Sequence, residues 1–153
     1  MDQIIAAVRA LPGALVVAPQ PGDGLPEQAW GDAFFYHAPD GRMPTTVQPF
    51  ATIVTKDHPG DTASALDAPD RWRVNVHVDR ATFRELVGAQ PREVDRTAVD
   101  HTVTDRVLPH PVYGELGWIC VVSPGDRTTE TVLRLLRAAH ESARIRSLRR
   151  RGE

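Results

Sequence analysis

The sequence lacks most of the features that reveal a protein's chemistry directly. It has one cysteine among 153 residues, which excludes an internal disulfide and is typical of a reducing compartment. It has no apolar run of about 20 residues, so no membrane-spanning helix is predicted. The N-terminal segment, residues 1–5, has neither the basic region nor the apolar region of a signal peptide. We therefore expect a cytoplasmic protein that does not associate with membranes.

Lysine is almost absent, because Lys56 is the only lysine beside 17 arginines. Five arginines lie in the last ten residues, and without those ten residues the chain has 13 basic and 19 acidic residues, a net charge of −6. A nucleic-acid-binding domain normally carries a basic surface, so the composition argues against nucleic-acid binding by the body of the chain. Two interpretations of residues 144–153 stay open. They contact nucleic acid or an acidic partner, or they form a basic helix end that frays.

The motifs of common cofactor and metal sites are also missing. The sequence has no phosphate-binding loop, dinucleotide fingerprint, zinc-ligand spacing or Gly-x-Ser-x-Gly nucleophile motif. We therefore expect no cofactor and no metal. The remaining histidines and carboxylates match no metal-ligand spacing and are predicted to lie in solvated loops, with a metal site as the alternative: His58, His101, Asp57, Asp61, Asp100 and Asp105.

Hydrophobic periodicity predicts one mixed α+β domain over residues 1–143, followed by the basic tail 144–153. Helical spacing of apolar residues predicts a helix before Pro12-Gly13, a short helix from Asp79 to Gly88 and a long helix from about Thr128. Residues 89–108 permit another short helix. Strands are predicted at 14–18, 29–37, 50–56, 71–79 and 118–122. Their short links favour a mainly antiparallel sheet in a two-layer sandwich, covered on one face by the terminal helices.

The strand at residues 71–79 alternates more strictly than any other. Its apolar side faces a core, and its other side presents Arg73, Asn75 and His77 about 7 Å apart. A cation, an amide and an imidazole in a row can bind an anionic or carbonyl-bearing ligand. The alternative is a solvated strand face held by cross-strand hydrogen bonds.

A second candidate lies in residues 108–122. His110 stands between Pro109 and Pro111, which restrict the backbone around it. A stiffly held histidine suits an acid/base or ligand contact, and Tyr113 and Trp118 are the neighbouring candidates for ligand contact. The alternative is a proline-braced loop whose histidine bonds to the backbone and whose aromatic residues pack. Cys120 is expected to be a small core residue.

Several segments together resemble an uncharacterised actinobacterial family, a domain of unknown function, over nearly the whole chain. They are Leu11-Pro12-Gly13, Trp30-Gly31-Asp32 with Phe34-Phe35-Tyr36, residues 50–54, Arg73-Val74-Asn75-Val76-His77-Val78, and Leu108 to Gly114 with Gly117-Trp118. Their layout is similar to that of the MmcQ/YjbR-like proteins, which implies a compact α+β domain with an antiparallel sheet. DNA binding has been proposed for those proteins, but this chain has a longer insert between Lys56 and Arg71 and few basic residues in its body.

The favoured hypothesis is a small-molecule or protein binding module, with the six residues Arg73, Asn75, His77, His110, Tyr113 and Trp118 at the site. The first alternative is an accessory enzyme of bacterial secondary metabolism that uses His110 or His77 as an acid/base. The second is DNA binding through the arginine tail. The oligomeric state stays open. The binding hypothesis requires His110 to face the row that begins at Arg73.

Overall fold

An antiparallel sheet forms the centre of the molecule. The computed structural model describes residues 1–152, which contain six strands: β1 (Ala14–Val17), β2 (Ala33–His37), β3 (Ala51–Val54), β4 (Arg73–His77), β5 (Leu108–Pro109) and β6 (Trp118–Val122). Their order is β1-β2-β3-β4-β6-β5, and each neighbouring pair runs antiparallel. The short, hairpin-like links of the sequence predict this arrangement, because a parallel pair would need a long crossover.

Three helices pack on one face of this sheet. They are α1 (Asp2–Arg9), α2 (Arg80–Val87) and α3 (Thr129–Arg150). Ile4 and Val8 from α1, Phe83 from α2 and Leu136 from α3 join one buried cluster with the alternating strand residues Phe35, Ile53, Val74, Val76, Ile119 and Val121. The predicted α+β fold, with the N-terminal and C-terminal helices on one face of an antiparallel sheet, is therefore confirmed.

The short helix α2 has the ends that its sequence predicts. The Asp79 side chain accepts a hydrogen bond from the backbone N–H of Thr82 at 2.7 Å. Gly88 ends the helix with φ of +91°, a left-handed conformation that favours glycine. Since β4 stops at His77, this cap turns the chain directly from the sheet into the helical layer.

Four strands are shorter than predicted, those expected at 14–18, 29–37, 50–56 and 71–79. The strand expected at 29–37 begins only at Ala33, because residues 27–29 form a 3₁₀ turn and Gly31 has φ of +87°. The strand expected at 71–79 spans Arg73–His77. Its polar row is also more buried than a solvated strand face would be, since Arg73 is 1% exposed and Asn75 is 3% exposed.

Residues 89–108 form two 3₁₀ turns, Pro91–Glu93 and Arg96–Ala98, instead of the short α-helix that the valine spacing permits. Asp105 fixes the end of this segment to the start of α3. Its carboxylate accepts hydrogen bonds from the backbone N–H groups of Gly125, Arg127 and Thr128 and from the Thr128 hydroxyl. These bonds hold the pKa of Asp105 below its usual value, the Thr128 hydroxyl contributing most.

The last helix continues to Arg150, so no break in the helix marks the predicted boundary at residue 143. The basic residues 144–150 are therefore helical, and they extend α3 past its buried stretch. Fraying of this end in solution stays a prediction. Cations suit the last turn of a helix because the backbone carbonyls there carry partial negative charge.

The second face of the sheet is only partly covered. Residues from the 57–70 loop and from the segment after β5 bond to Arg73 over β4 and β6. Cys120 lies beneath them with no exposed surface, and burial raises the pKa of its thiol to about 12. A thiol in this state is unreactive at neutral pH. On the same face, the residues that bond to Arg73 do not cover β2 and β3, and an open cleft lies over those two strands.

We expect Phe35→Ala to lower the free energy of unfolding by about 3–5 kcal/mol, because the ring is fully buried between the sheet and the helices. Urea unfolding followed by circular dichroism measures this loss. Met43→Ala is the control, since Met43 is 45% exposed and its truncation should change stability by no more than about 0.5 kcal/mol. Equal losses in the two variants would contradict the placement of the core.

Candidate functional site

A cleft of about 1110 Å³ opens on the sheet face opposite the helices. All six residues predicted from the sequence line it: Arg73, Asn75, His77, His110, Tyr113 and Trp118. The volume is slightly above the usual range of small-molecule sites, about 300–1,000 Å³. The binding hypothesis requires His110 to face the row that begins at Arg73. It does, because the His110 ring contacts the Arg73 guanidinium, with Nε2 and Nη2 3.2 Å apart.

Strand register explains the convergence. Arg73, Asn75 and His77 alternate on β4 and so point to the same face. Asn75 lies opposite Thr52 of β3, and its amide Nδ2 donates to the Thr52 hydroxyl oxygen at 2.9 Å. His77 lies opposite Trp118 of β6, and the centres of the two rings are 5.5 Å apart.

Arg73 is the centre of the buried part of the site, and four of its five N–H groups donate to an oxygen atom. Nε donates to Asn75 Oδ1 at 2.7 Å. Nη1 donates to Asp61 Oδ1 at 2.9 Å and to Ser64 Oγ at 3.0 Å. Nη2 donates to Asp61 Oδ2 at 2.5 Å and faces His110 Nε2. The fifth N–H, on Nη2, lies against the buried His110 ring. Arg73 is itself buried, so it organises the site without reaching into the open cleft.

Asp61 is the anionic half of this buried pair. Burial alone would raise the pKa of its carboxyl, but the hydrogen bonds and the charge of Arg73 outweigh burial and hold the pKa below its usual value. The bidentate geometry is the strong form of an arginine–carboxylate contact. It ties the 57–70 loop to β4, and this tie fixes one wall of the cleft.

His110 is held in its neutral form. Its Nδ1 accepts from the backbone N–H groups of Val112 and Tyr113, both at 3.0 Å, which places the proton of the neutral ring on Nε2, 3.2 Å from Arg73 Nη2. Burial, and then the charge of Arg73, lower the pKa of His110 to about 3. A histidine with this pKa is a weak base at neutral pH. The local geometry therefore favours a structural part for His110 over acid/base chemistry.

His77 is more accessible and keeps one nitrogen unoccupied. Its Nε2 donates to the backbone carbonyl of Leu116 at 3.1 Å, and its Nδ1 has no hydrogen-bond partner within residues 1–152. The pKa of His77 lies below its ordinary value, first because of burial and also because Arg146 is near, while the bond to Leu116 opposes the shift. At neutral pH its Nδ1 is thus an acceptor on a side chain that lines the cleft.

The end of α3 supplies two arginines that the sequence analysis assigned to a tail. Ala143, Arg146 and Arg150 follow one side of the helix and line the cleft. Neither arginine forms an ion pair with any residue of the described chain. Burial and the neighbouring Arg150 lower the pKa of Arg146. The helical spacing 143, 146 and 150 was the signal in the sequence that could have placed them together.

Aromatic side chains form most of the remaining wall. Phe34, Tyr36, Phe50, Tyr113 and Trp118 line the cleft. At one end His37 on β2 meets His140 on α3, with His37 Nδ1 and His140 Nε2 3.2 Å apart. One of these two rings must accept the bond that the other donates, so the pair is favoured when at least one ring is neutral.

The histidines and carboxylates predicted to lie in solvated loops have more varied positions. Asp61 holds Arg73, and Asp105 caps α3. Asp57 and Asp100 accept hydrogen bonds from the backbone of nearby residues. His101 is buried, and its Nε2 has no partner among the described residues. His58 bonds to Asp32 at the cleft wall. No group of three metal-ligating side chains occurs within residues 1–152.

Comparison with known proteins gives a family and no activity. The model of a family described as a family of unknown function (DUF6194) matches residues 1–152. The chain belongs to the DUF6194 family. No curated protein and no solved structure matches it. The predicted membership of an uncharacterised family is confirmed, while actinobacterial origin and likeness to YjbR-like proteins stay predictions. No helix among the described residues of this DUF6194 protein meets the length and hydropathy needed to cross a bilayer.

We expect the DUF6194 protein to lose stability as the pH falls from about 7 to about 5. Burial is the leading cause of a lowered pKa in five histidines: His37, His77, His101, His110 and His140. Between these pH values the unfolded chain therefore binds more protons than the folded chain does. The free energy of unfolding consequently falls on acidification. His110 alone would contribute about 2 kcal/mol over this interval.

Urea unfolding at the two pH values and constant ionic strength measures this difference. His110→Gln should show a smaller difference than the unchanged protein. Equal stability at pH 7 and 5, or higher stability at pH 5, would contradict the burial of these rings.

We also expect Arg73→Met to lower the free energy of unfolding by about 3–5 kcal/mol, because it leaves the Asp61 carboxylate without its buried partner. The double variant Arg73→Met with Asp61→Leu should recover part of this loss, since it removes both charges. If the double variant is as unstable as the sum of the two single variants, the two side chains are not energetically coupled.

Proposed function

We propose that this DUF6194 protein binds a small organic acid, a molecule with an apolar or aromatic body and an anionic group. The observation that carries the proposal is the combination, in one cleft, of aromatic walls with two arginines that have no ion-pair partner among residues 1–152. Each half of this combination matches one half of such a ligand.

The charges around the cleft favour an anion. Asp32 and Asp61 are the carboxylates of the described chain that line it, and both are already paired, with Lys56 and Arg73 respectively. Arg146 and Arg150 lie four residues apart on α3, a spacing at which like charges repel. An anion between them would relieve this repulsion. The charged side chains of the cleft that form no ion pair among the described residues are thus positive, whereas residues 1–143 have a net charge of −6.

The walls favour a flat apolar body. Trp118 and Phe34 can contact a ring by offset or edge-on packing, as aromatic pairs do. Two polar groups nearby can orient it. His77 Nδ1 is an acceptor, and the hydroxyl of Thr52, whose oxygen already accepts from Asn75, can still donate its proton. A small number of such groups in a mostly apolar pocket is the usual source of specificity.

Other functions receive less support. Acid/base chemistry at His110 conflicts with a pKa of about 3 for its ring. Nucleic-acid binding by the C-terminal arginines receives less support, because Arg146 and Arg150 line the cleft and Arg144 pairs with Glu141 at 2.6 Å. Only Arg149 and Arg151 of the five then remain for such a contact. A protein partner could use the exposed Leu116 and Tyr113 at the rim, but these two side chains make a small apolar patch.

Calorimetric titration with phenylacetate and with its neutral amide tests the proposal. We expect phenylacetate to bind more tightly than phenylacetamide and to weaken as salt is added. Arg146→Ala should raise the dissociation constant of phenylacetate about fivefold, the equivalent of about 1 kcal/mol for a partly exposed cation.

Arg149→Ala is the matched control, since Arg149 lies on the same turn of α3 and does not line the cleft. Its dissociation constant for phenylacetate should equal that of the unchanged protein. Equal affinity for the acid and the amide, or equal effects of the two arginine substitutions, would refute an anion site at the end of α3.

A further inference from the structure

Asp32 and His58 form the histidine–carboxylate pair of the described chain, and both line the cleft. The Asp32 side chain is fully buried. Its Oδ1 accepts from the backbone N–H and the hydroxyl of Thr55, both at 2.8 Å, and from Lys56 Nζ at 3.2 Å. Its Oδ2 accepts from His58 Nε2 alone, at 2.8 Å. The two oxygens therefore have separate partners. Oδ1 holds Thr55 and Lys56, and Oδ2 holds the His58 ring.

This contact selects the tautomer of His58. A carboxylate only accepts hydrogen bonds, so the His58 proton lies on Nε2 and Nδ1 carries the lone pair. Nδ1 has no hydrogen-bond partner within residues 1–152, and the side chain is 25% exposed at the cleft wall. The ring can therefore accept a proton from a molecule in the cleft without first breaking a bond.

The backbone of His58 is also held in place. His58 and Asp61 exchange backbone hydrogen bonds across the Pro59-Gly60 turn, at 3.2 and 2.9 Å. Asp61 is fixed in turn by Arg73. His58 is thus positioned by a buried carboxylate and by a loop anchored to β4. A catalytic base needs this kind of support from its surroundings.

We infer that His58 is a general base for hydrolysis and that Asp32 is its positioning residue. The substrate class is an ester that keeps a free anionic group, so it is one of the acidic molecules that the cleft is proposed to bind. The inference therefore rests on the proposed function. His77 and His110 lack a carboxylate partner, and the acceptor nitrogen of His110, Nδ1, is already occupied by two backbone N–H groups.

The step balances with water as the only co-reactant. Nδ1 of His58 takes a proton from water as the water oxygen bonds to the ester carbonyl carbon. The tetrahedral intermediate then breaks its bond to the leaving oxygen, which takes the proton from His58. The products are a carboxylic acid and an alcohol. Asp32 stabilises the imidazolium formed between the two steps and keeps its own charge.

Release of 4-nitrophenolate from 4-nitrophenyl hydrogen glutarate tests the inference, since this probe carries both an aromatic ring and a carboxylate. We expect hydrolysis above the buffer rate that is slower in heavy water. His58→Gln and Asp32→Asn should each reduce it by at least about tenfold. The neutral ester 4-nitrophenyl acetate should react more slowly than the acidic one.

Thr55→Val is the matched control, because it removes one contact to Asp32 Oδ1 and leaves the contact between Oδ2 and His58. It should lower Tm and keep most of the rate. The nitrogen chemical shifts of the His58 ring give a readout that does not depend on turnover. They should show the proton on Nε2 in the unchanged protein and a mixture of tautomers in Asp32→Asn.

Two failures are distinguishable. If phenylacetate binds but His58→Gln hydrolyses the acidic ester as fast as the unchanged protein, the catalytic inference is overturned and the binding proposal stands. If phenylacetate does not bind, the binding proposal fails, and with it the substrate class. An unchanged tautomer in Asp32→Asn would overturn the positioning role of Asp32.

Discussion

The buried contact between Arg73 and Asp61 is the interaction on which the second face of the sheet depends. A charge that is 1% exposed is tolerated only when most of its donors are satisfied, and this guanidinium donates four hydrogen bonds to oxygen atoms. Its partners come from three separate parts of the chain: its own strand, the 57–70 loop and the segment around His110. One side chain thereby closes the loops over β4 and sets the shape of the cleft.

This role changes which residues are free to meet a ligand. Arg73 is the obvious cation in the sequence, yet its bonds are all internal. The positive charge that has no ion-pair partner among the described residues instead comes from Arg146 and Arg150, which the helix brings to the same cleft. Likewise, two backbone N–H groups occupy the acceptor nitrogen of His110, whereas Nδ1 of His58 has no hydrogen-bond partner within residues 1–152. Side chains that organise the site and side chains that face a ligand are therefore different sets.

Much of the fold could be predicted because it follows from local patterns. The alternation in β4 and the caps of α2 at Asp79 and Gly88 are written in neighbouring residues. The contacts of the site are not local. Asp32 and His58 are 26 residues apart, and Asp61 reaches Arg73 from a loop whose composition resembles any solvated turn. Hydrophobic periodicity carries no information about polar pairs of this kind, so the sequence could nominate residues but not pair them.

The central claim is that the cleft on the open sheet face is where a small acid binds. A two-dimensional NMR titration of the labelled protein with phenylacetate tests it most directly. The account predicts saturable shifts for the Trp118 indole, the His77 ring and the amides near Arg146, with the surface of α2 unchanged. Shifts confined to α2 or to the outer surface of α1, or none at saturating phenylacetate, would contradict it.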